Sequence, residues 1–382
     1  MINKKTSGEP LFHVSKRQEI TKLKATLYTL AAVALSLILG ALFCGIVSGN
    51  NPVFFFTYLI EGVFKTPRRF WTALRDMALL LGVAMALLPA FKMKFWNLGG
   101  NGQILMGALA TIICMKFLGG KIPDGWVNLL MIITSIAAGI IWALIPAIFK
   151  AFFKTNESLF TLMMNYIAVG LVSYFITRYS NSGSNTILPI EQGNLPVIGN
   201  EYLLTIIVVA LITAFMIIYF KFSKHGYEVS VVGESENTAR YIGINVKKVV
   251  LRTMALSGAV CGIIGMLIIG SIDKTITTSS ANNMGFTAIM VAWLANLNPI
   301  TMIIAALFIT FVDKGMSTVR MKFGLTNIAT TNIVLGFIYF FVIACQFFIT
   351  YKVIFTKKGK KDKSENKNKT KENTAANVGE GE

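Results

Sequence analysis

The chain has 382 residues, 54% of them hydrophobic and only 14% charged, with a formal net charge of +18. A soluble globular domain carries roughly 25% charged residues, so a soluble enzyme of this size is excluded for want of surface charge. Fifteen of the 36 Lys and Arg flank the apolar region, six before it and nine after it, and no aromatic residue follows Lys357 to act as a stacking platform, which argues against nucleic acid as a partner.

The apolar residues come in blocks, and block length separates a membrane span from a buried core helix. A bilayer needs about 20 mostly apolar helical residues, whereas 10–14 suit a soluble core. Residues 1–24 form a basic segment (Lys4, Lys5, Lys16, Arg17, Lys22, Lys24) suited to an anionic cytoplasmic leaflet. Residues 25–47 are the first span, read as retained because no small-residue cleavage site follows it. Phe43 before Cys44 argues against a lipoprotein box. Residues 52–64 are apolar but short and carry Glu61, and are expected along the outer interface. Residues 71–91 span if Arg75 and Asp76 sit at the outer interface, with Lys92 and Lys94 at the inner edge.

A Gly-rich break, Asn97-Leu98-Gly99-Gly100-Asn101-Gly102, precedes a short span over 103–118, and clear spans follow over 127–149 and 158–177. The loop 178–201 has one basic residue and is placed outside; 202–220 spans again. The loop 221–252 carries Lys221, Lys224, Arg240, Lys247, Lys248 and Arg252 and is placed inside. Residues 251–272 span, and 284–295 and 300–312 flank a second break at Asn296-Leu297-Asn298-Pro299. A last span covers 327–351, and the tail 352–382 holds nine lysines between Lys352 and Lys371 and is read as disordered. The expectation is an all-α polytopic bundle of about ten spans (25–351) in the plasma membrane, both termini cytoplasmic. One region disagrees: Lys65, Arg68 and Arg69 fall outside.

Paired interrupted segments in the two halves point to a substrate path built on internal repeats, because irregular backbone at membrane depth must line a cavity or be buried in protein. Met106-Gly107-Ala108-Leu109-Ala110 and Met290-Val291-Ala292-Trp293-Leu294-Ala295 are faintly alike. Two tight turns at the membrane surface remain the alternative, and Lys92 and Lys94 favour it for the first break. Ionisable groups within spans read as few: Asp76 and Glu157 at span edges, Asp273 and Lys274 at an outer end, Asp313 and Lys314 closing the ninth span. The histidines, His13 and His225, fall in cytoplasmic segments, and the four cysteines form no close pair. No His cluster, HExxH or aspartate-rich motif is present and no cofactor or metal is expected. Gly120-Lys121 and Gly359-Lys360 lack the rest of a phosphate loop, so ATP is not bound by that route, and any energy for the chain must come from a partner or an ion gradient. In the inside loop Ser235 is a plausible N-cap before residues 236–242 with Gly243 as the stop. Such a helix suits a motor partner or serves as a solvated connection.

Five ordered stretches carry a resemblance. They are Asn97 to Gln103; Asn156-Glu157-Ser158 with Leu162-Met163-Met164-Asn165-Tyr166; Gly233 to Asn245; Ser257-Gly258-Ala259 with Gly262 and Gly265; and Gly285-Phe286-Thr287-Ala288-Ile289 with Val291-Ala292 and Asn298-Pro299. Together they resemble permease subunits of ATP-binding-cassette (ABC) importers, in the branched-chain amino acid/simple sugar permease family and its nucleoside-importer branch. Asn101 stands where that family usually has Glu, and Thr287 where it often has Asp. The resemblance implies alternating access driven by cytoplasmic ATPase subunits, a second permease subunit in a heterodimer, and an extracytoplasmic solute-binding protein. It implies that Glu234, Ser235, Glu236, Asn237, Ala239, Arg240 and Gly243 couple to the ATPase. Neutral amides suit ribose hydroxyls and base edges, so Asn97, Asn101, Gln103, Asn165 and Asn296 are the pathway candidates. Trp293 joins them as a surface for a base, as do Phe95, Trp96 and Tyr166, although aromatic residues at such places also serve as packing. Simple sugars and branched-chain amino acids are alternative cargoes. An ion-coupled transporter and a membrane-embedded enzyme are alternative classes.

Overall fold

Side-chain caps or prolines mark where several of the helices begin. The computed structural model describes residues 12–16, 21–180 and 186–355. Strand β1 (Phe12–Lys16) precedes α1 (Lys22–Ser48) and α2 (Phe54–Phe64). Helix α3 (Pro67–Lys92) opens on Thr66, whose side chain accepts from the Arg69 N–H, with Pro67 pre-set for the first turn. Helices α4 (Gly100–Leu118), α5 (Asp124–Phe153), α6 (Glu157–Tyr179) and α7 (Leu203–Phe222) follow. Two short helices, α8 (Lys224–Glu234) and α9 (Glu236–Tyr241), lead into α10 (Val246–Ile268), which continues as a π-helical turn, Ile269–Asp273. Helix α11 (Met284–Leu294) is short; α12 (Pro299–Lys322) starts at an Asn298 cap followed by Pro299; α13 (Ala329–Thr350) leads into β2 (Tyr351–Phe355).

Eight helices are long and apolar enough to cross a membrane, and α11 and the apolar part of α13 stand where the two remaining expected spans fall. The all-α polytopic expectation holds. Two details differ. Helix α12 runs on to Lys322, because Asp313 and Lys314 lower its hydropathy without breaking its helix. Helix α2 does not merely lie along a surface: Phe55, Leu59, Gly62 and Val63 are buried, and Gly62 meets the backbone of Gly315 in α12.

The chain divides into two compact units, one containing the described residues up to Leu39 and from Gly336 on, the other Gly40–Leu335. In the first, β1 and β2 pair antiparallel, Phe12 opposite Phe355 and Lys16 opposite Tyr351. Residues 352–355, read from sequence as the start of the tail, are therefore strand; the rest of the tail, from 356, lies outside the described residues, as do 181–185 of the expected outer loop.

In the second unit α10 lies against α4 and α5 at backbone contact. A Cβ at Gly258 would overlap the Gly139 carbonyl of α5, and one at Gly262 the Ser135 carbonyl. Gly107 of α4 faces Gly262 in the same way. Small residues at three- and four-residue spacing thus let three helix backbones converge. The unit has two ends. One carries α8 and α9. At the other, residues 187–195 are strapped to the π-helical turn: the Leu195 N–H donates to the Gly270 carbonyl at 2.9 Å and the Thr275 hydroxyl to the Ile187 carbonyl at 2.6 Å.

Candidate functional site

The first break is held by its own amides. A helix start buried in protein leaves N–H groups that need acceptors, and α4 starts among buried residues. Asn165 of α6 accepts from the Gly102 N–H at 2.8 Å and donates to the Leu98 carbonyl at 2.9 Å. Asn97 accepts from the Gly99 N–H at 3.0 Å and from Gln103 Nε2 at 3.4 Å, and donates to Ser257 of α10 at 3.2 Å. Asn101 accepts from the Gly285 N–H at 2.7 Å, tying α4 to α11. The structure therefore gathers Asn97, Asn101, Gln103 and Asn165 around one buried break. Of this set, Gln103 Oε1 is without a partner among the described residues.

The other two pathway candidates lie apart. Trp293 is 42% exposed, with its ring 5.5 Å from that of Trp96. Asn296 has a left-handed φ of 51°, as has Leu297 at 56°, because the turn between α11 and α12 must reverse within four residues. With Lys92, Lys94 and Glu234 it lines a cavity of about 550 Å³ at the end that carries α8.

That end also holds the expected coupling segment. Ser235 caps α9 as its sequence suggests, accepting from the Thr238 N–H at 3.3 Å, and Gly243 takes φ 83° where the chain turns into α10. Ala239 is fully buried in an apolar cluster that joins Ala90 and Met93, Ala147 of α5, Val229 and Val232 of α8, and Val250 of α10. Gly233 presses on the Lys92 carbonyl so closely that a Cβ would overlap it. Outward, Glu234, Glu236, Asn237 and Arg240 are exposed, Arg240 pairing with Glu236 at 3.3 Å. Tyr241 is 92% exposed beside the exposed Ile242. At the α7–α8 junction the Tyr219 hydroxyl meets His225 Nδ1 at 2.6 Å, and His225 Nε2 is buried without a partner. Burial holds the His225 pKa below its ordinary 6.5; Glu228 opposes that shift and Arg252 adds to it.

The opposite end contains a feature that sequence reasoning missed. The sequence reads Asp76 at an interface and Asp313 at the close of a span, with no link between them. The fold brings Arg75, Asp76, Asp273, Asp313, Lys314 and Arg320 to one cavity of about 420 Å³. Asp76 receives Arg75 Nη2 at 2.6 Å and also pairs with Lys314, joining α3 to α12. Charges that read as separate in the sequence are thus gathered at one cavity. The available signal was that helical periodicity continues past Asp313 to Lys322, which puts the pair inside a helix.

Residues 70–343 match the family described as branched-chain amino acid transport system, permease component. The guanosine ABC transporter permease protein NupP of Bacillus subtilis is 28% identical over 337 residues, covering 85% of this chain and 94% of the relative. The nucleoside ABC transporter permease protein NupB of Lactococcus lactis is 25% identical over 312 residues, covering 77% and 84%. The glucose ABC transporter permease protein TsgB13 of Haloferax volcanii is 28% identical over 297 residues, covering 73% and 77%. With the match running through the amide-held break, the capped α9 and the converging glycines, the chain belongs to the permease component family of branched-chain amino acid transport systems.

Proposed function

We propose that this permease is the membrane subunit of an ABC importer that moves nucleosides across the plasma membrane by alternating access, with ATP hydrolysed on partner subunits. The observation that carries the coupling is α9: one side is sealed into the cluster around Ala239, while Glu236, Asn237, Arg240 and Tyr241 stand clear. A partner that pulls on the exposed side moves the buried side, and with it the ends of α3, α5, α8 and α10. That end is assigned to the cytoplasm, together with both termini. The β1–β2 pairing, which holds the two ends of the described chain together, and the terminal lysines support this orientation.

The cargo assignment draws on the names of the relatives, two of which are guanosine or nucleoside permeases aligned over most of this chain. A second permease subunit is proposed because Bacillus subtilis has another guanosine ABC transporter permease protein, NupQ, 26% identical to this chain over 233 residues. An extracytoplasmic solute-binding protein would deliver the cargo to the opposite end. The path is proposed to run past the amide-held break (Asn97, Asn101, Gln103, Asn165), with the half-exposed Trp96–Trp293 pair as an aromatic surface and Asn296 at the inner exit. Because these amides are engaged in holding the break, they leave little to grip a neutral solute, which suits release.

The coupling reading is tested by purifying the full chain from its host in mild detergent and identifying what accompanies it. An ABC ATPase should co-purify with the native chain and be lost with Ala239→Trp or Arg240→Glu. Retention of the ATPase by both variants, or its absence from the native chain, would show that α9 does not dock it.

A further inference from the structure

The cavity at the end opposite α9 contains more unpaired polarity than a structural ion pair needs. Its cations, Arg75, Lys314 and Arg320, equal its acids, Asp76, Asp273 and Asp313, in number. Asp76 takes both Arg75 and Lys314. Among the described residues no cation lies within 4.0 Å of Asp273 or Asp313. Thr331 lines the same cavity at 5% exposure, and its hydroxyl has no partner. Nor has Nε of Arg320. Asp273 is exposed and Asp313 half-buried, so their acceptors are open to a solute, whereas a buried hydroxyl such as that of Thr331 is costly when left unpaired. Two carboxylates, a buried hydroxyl and a guanidinium N–H thus face one space with acceptors and donors free to take a solute.

The chemistry limits what that is. The balanced charge gives no net pull on an ion. A carboxylate has only acceptor oxygens, two of them, and so receives both hydrogens of a vicinal diol. Thr331 and Arg320 offer donors to a ring or hydroxyl oxygen. The volume, about 420 Å³, lies within the roughly 300–1,000 Å³ usual for small-molecule sites. The apolar part of its lining is aliphatic, Leu79, Ile268, Met284 and Ile309 among it, and among the described residues no aromatic ring lines it on which a base could stack.

We infer that this cavity is a solute site within a single permease subunit, in which Asp313, Asp273 and Thr331 read the vicinal diol of a ribose ring whatever base the ring carries. The inference rests on the nucleoside-importer reading for the source of the ribose. It adds that selection at this point is for the sugar.

The test uses the full chain in lipid nanodiscs, without ATPase, and saturation-transfer NMR with uridine, adenosine, their 2′,3′-dideoxy counterparts, and uracil. Uridine and adenosine should bind saturably and within about threefold of one another, since neither base is contacted. The dideoxy compounds and uracil should bind at least about tenfold more weakly, the loss expected for hydrogen bonds to a charged acceptor. Asp313→Asn and Thr331→Val, both near-isosteric, should each weaken uridine about tenfold while the chain elutes as the native one does. Equal binding of the dideoxy compounds, or uridine binding unchanged in both variants, overturns the inference. Uptake in cells separates the two levels. If uptake of uridine requires this chain but binding ignores the diol, only this inference fails. If uptake of every nucleoside is indifferent to deletion of the chain, the importer reading fails as well.

Discussion

Asp76→Asn removes the one acid that, among the described residues, both Arg75 and Lys314 reach. Arg75 approaches it at 2.6 Å through Nη2 and at 2.7 Å through Nε, and Lys314 meets the second oxygen. The three side chains keep 18%, 19% and 31% of their accessibility, so the pairs lie between the buried and the surface cases. Breaking a buried pair costs about 3–5 kcal/mol because it leaves a charge uncompensated, whereas an exposed pair contributes about 0–1 kcal/mol. An intermediate site with two cations stranded should lose about 2–3 kcal/mol. Lys314→Met alone strands nothing, since Arg75 still holds Asp76, and should cost about 1 kcal/mol. Combined, the two substitutions should recover about 1–2 kcal/mol of coupling, as residues in one network do. The assay is denaturant titration of the full chain in mixed micelles, run as a double-mutant cycle. Additive losses, or an Asp76→Asn variant as stable as the native chain, would mean that α3 and α12 are not joined through this acid.

Three further outcomes are expected. Asn165→Ala leaves the Gly102 N–H and the Leu98 carbonyl without partners and should cost about 2–4 kcal/mol in the same titration, while Asn165→Asp, which keeps the acceptor but turns a second acceptor on the Leu98 carbonyl at a buried position, should cost at least about as much; equal stability of all three chains contradicts the clamp. Gly258→Leu drives a side chain into Gly139 and Ala143 and should abolish accumulation of folded protein in membranes, whereas Gly170→Ala, which meets nothing within 4 Å, should be harmless. His225 has a folded pKa below 6.5, so the unfolded junction binds the proton more readily: its contribution is complete above about pH 6.5 and is lost as pH falls below that value. Amide exchange across Ser223–Ser230 should therefore speed up between about pH 6.5 and 5 after correction for intrinsic rates, and His225→Asn should remove that dependence.

Much of the architecture was legible in the sequence because a bilayer imposes length on apolar runs. The capped α9 was legible too: Ser235 and Gly243 are local signals, and both act as their residue types suggest. The glycines of α10 announced close packing by their spacing, though not which helices they meet. What the sequence concealed depended on partners distant along the chain. The charge pair in α12 shortened the apparent span, and only the fold brings Lys314 to Asp76, more than two hundred residues away. Asn165 reads as a free amide in a helix; that it closes a break more than sixty residues earlier follows from the approach of α6 to α4. The short α2 concealed its role for the same reason, since its Gly62 matters only once Gly315 lies against it.

The central claim is that this permease imports nucleosides at the expense of ATP. Uptake of labelled guanosine and uridine should be measured in cells with the gene deleted and then restored, with unlabelled nucleosides, ribose, glucose and leucine as competitors. Uptake restored with the gene, dependent on ATP and blocked by nucleosides but not by glucose or leucine, is the predicted result. Nucleoside uptake unaffected by deletion, with glucose or leucine uptake abolished instead, would contradict the cargo assignment. Uptake that survives ATP depletion but collapses with an ionophore would contradict the ABC mechanism itself.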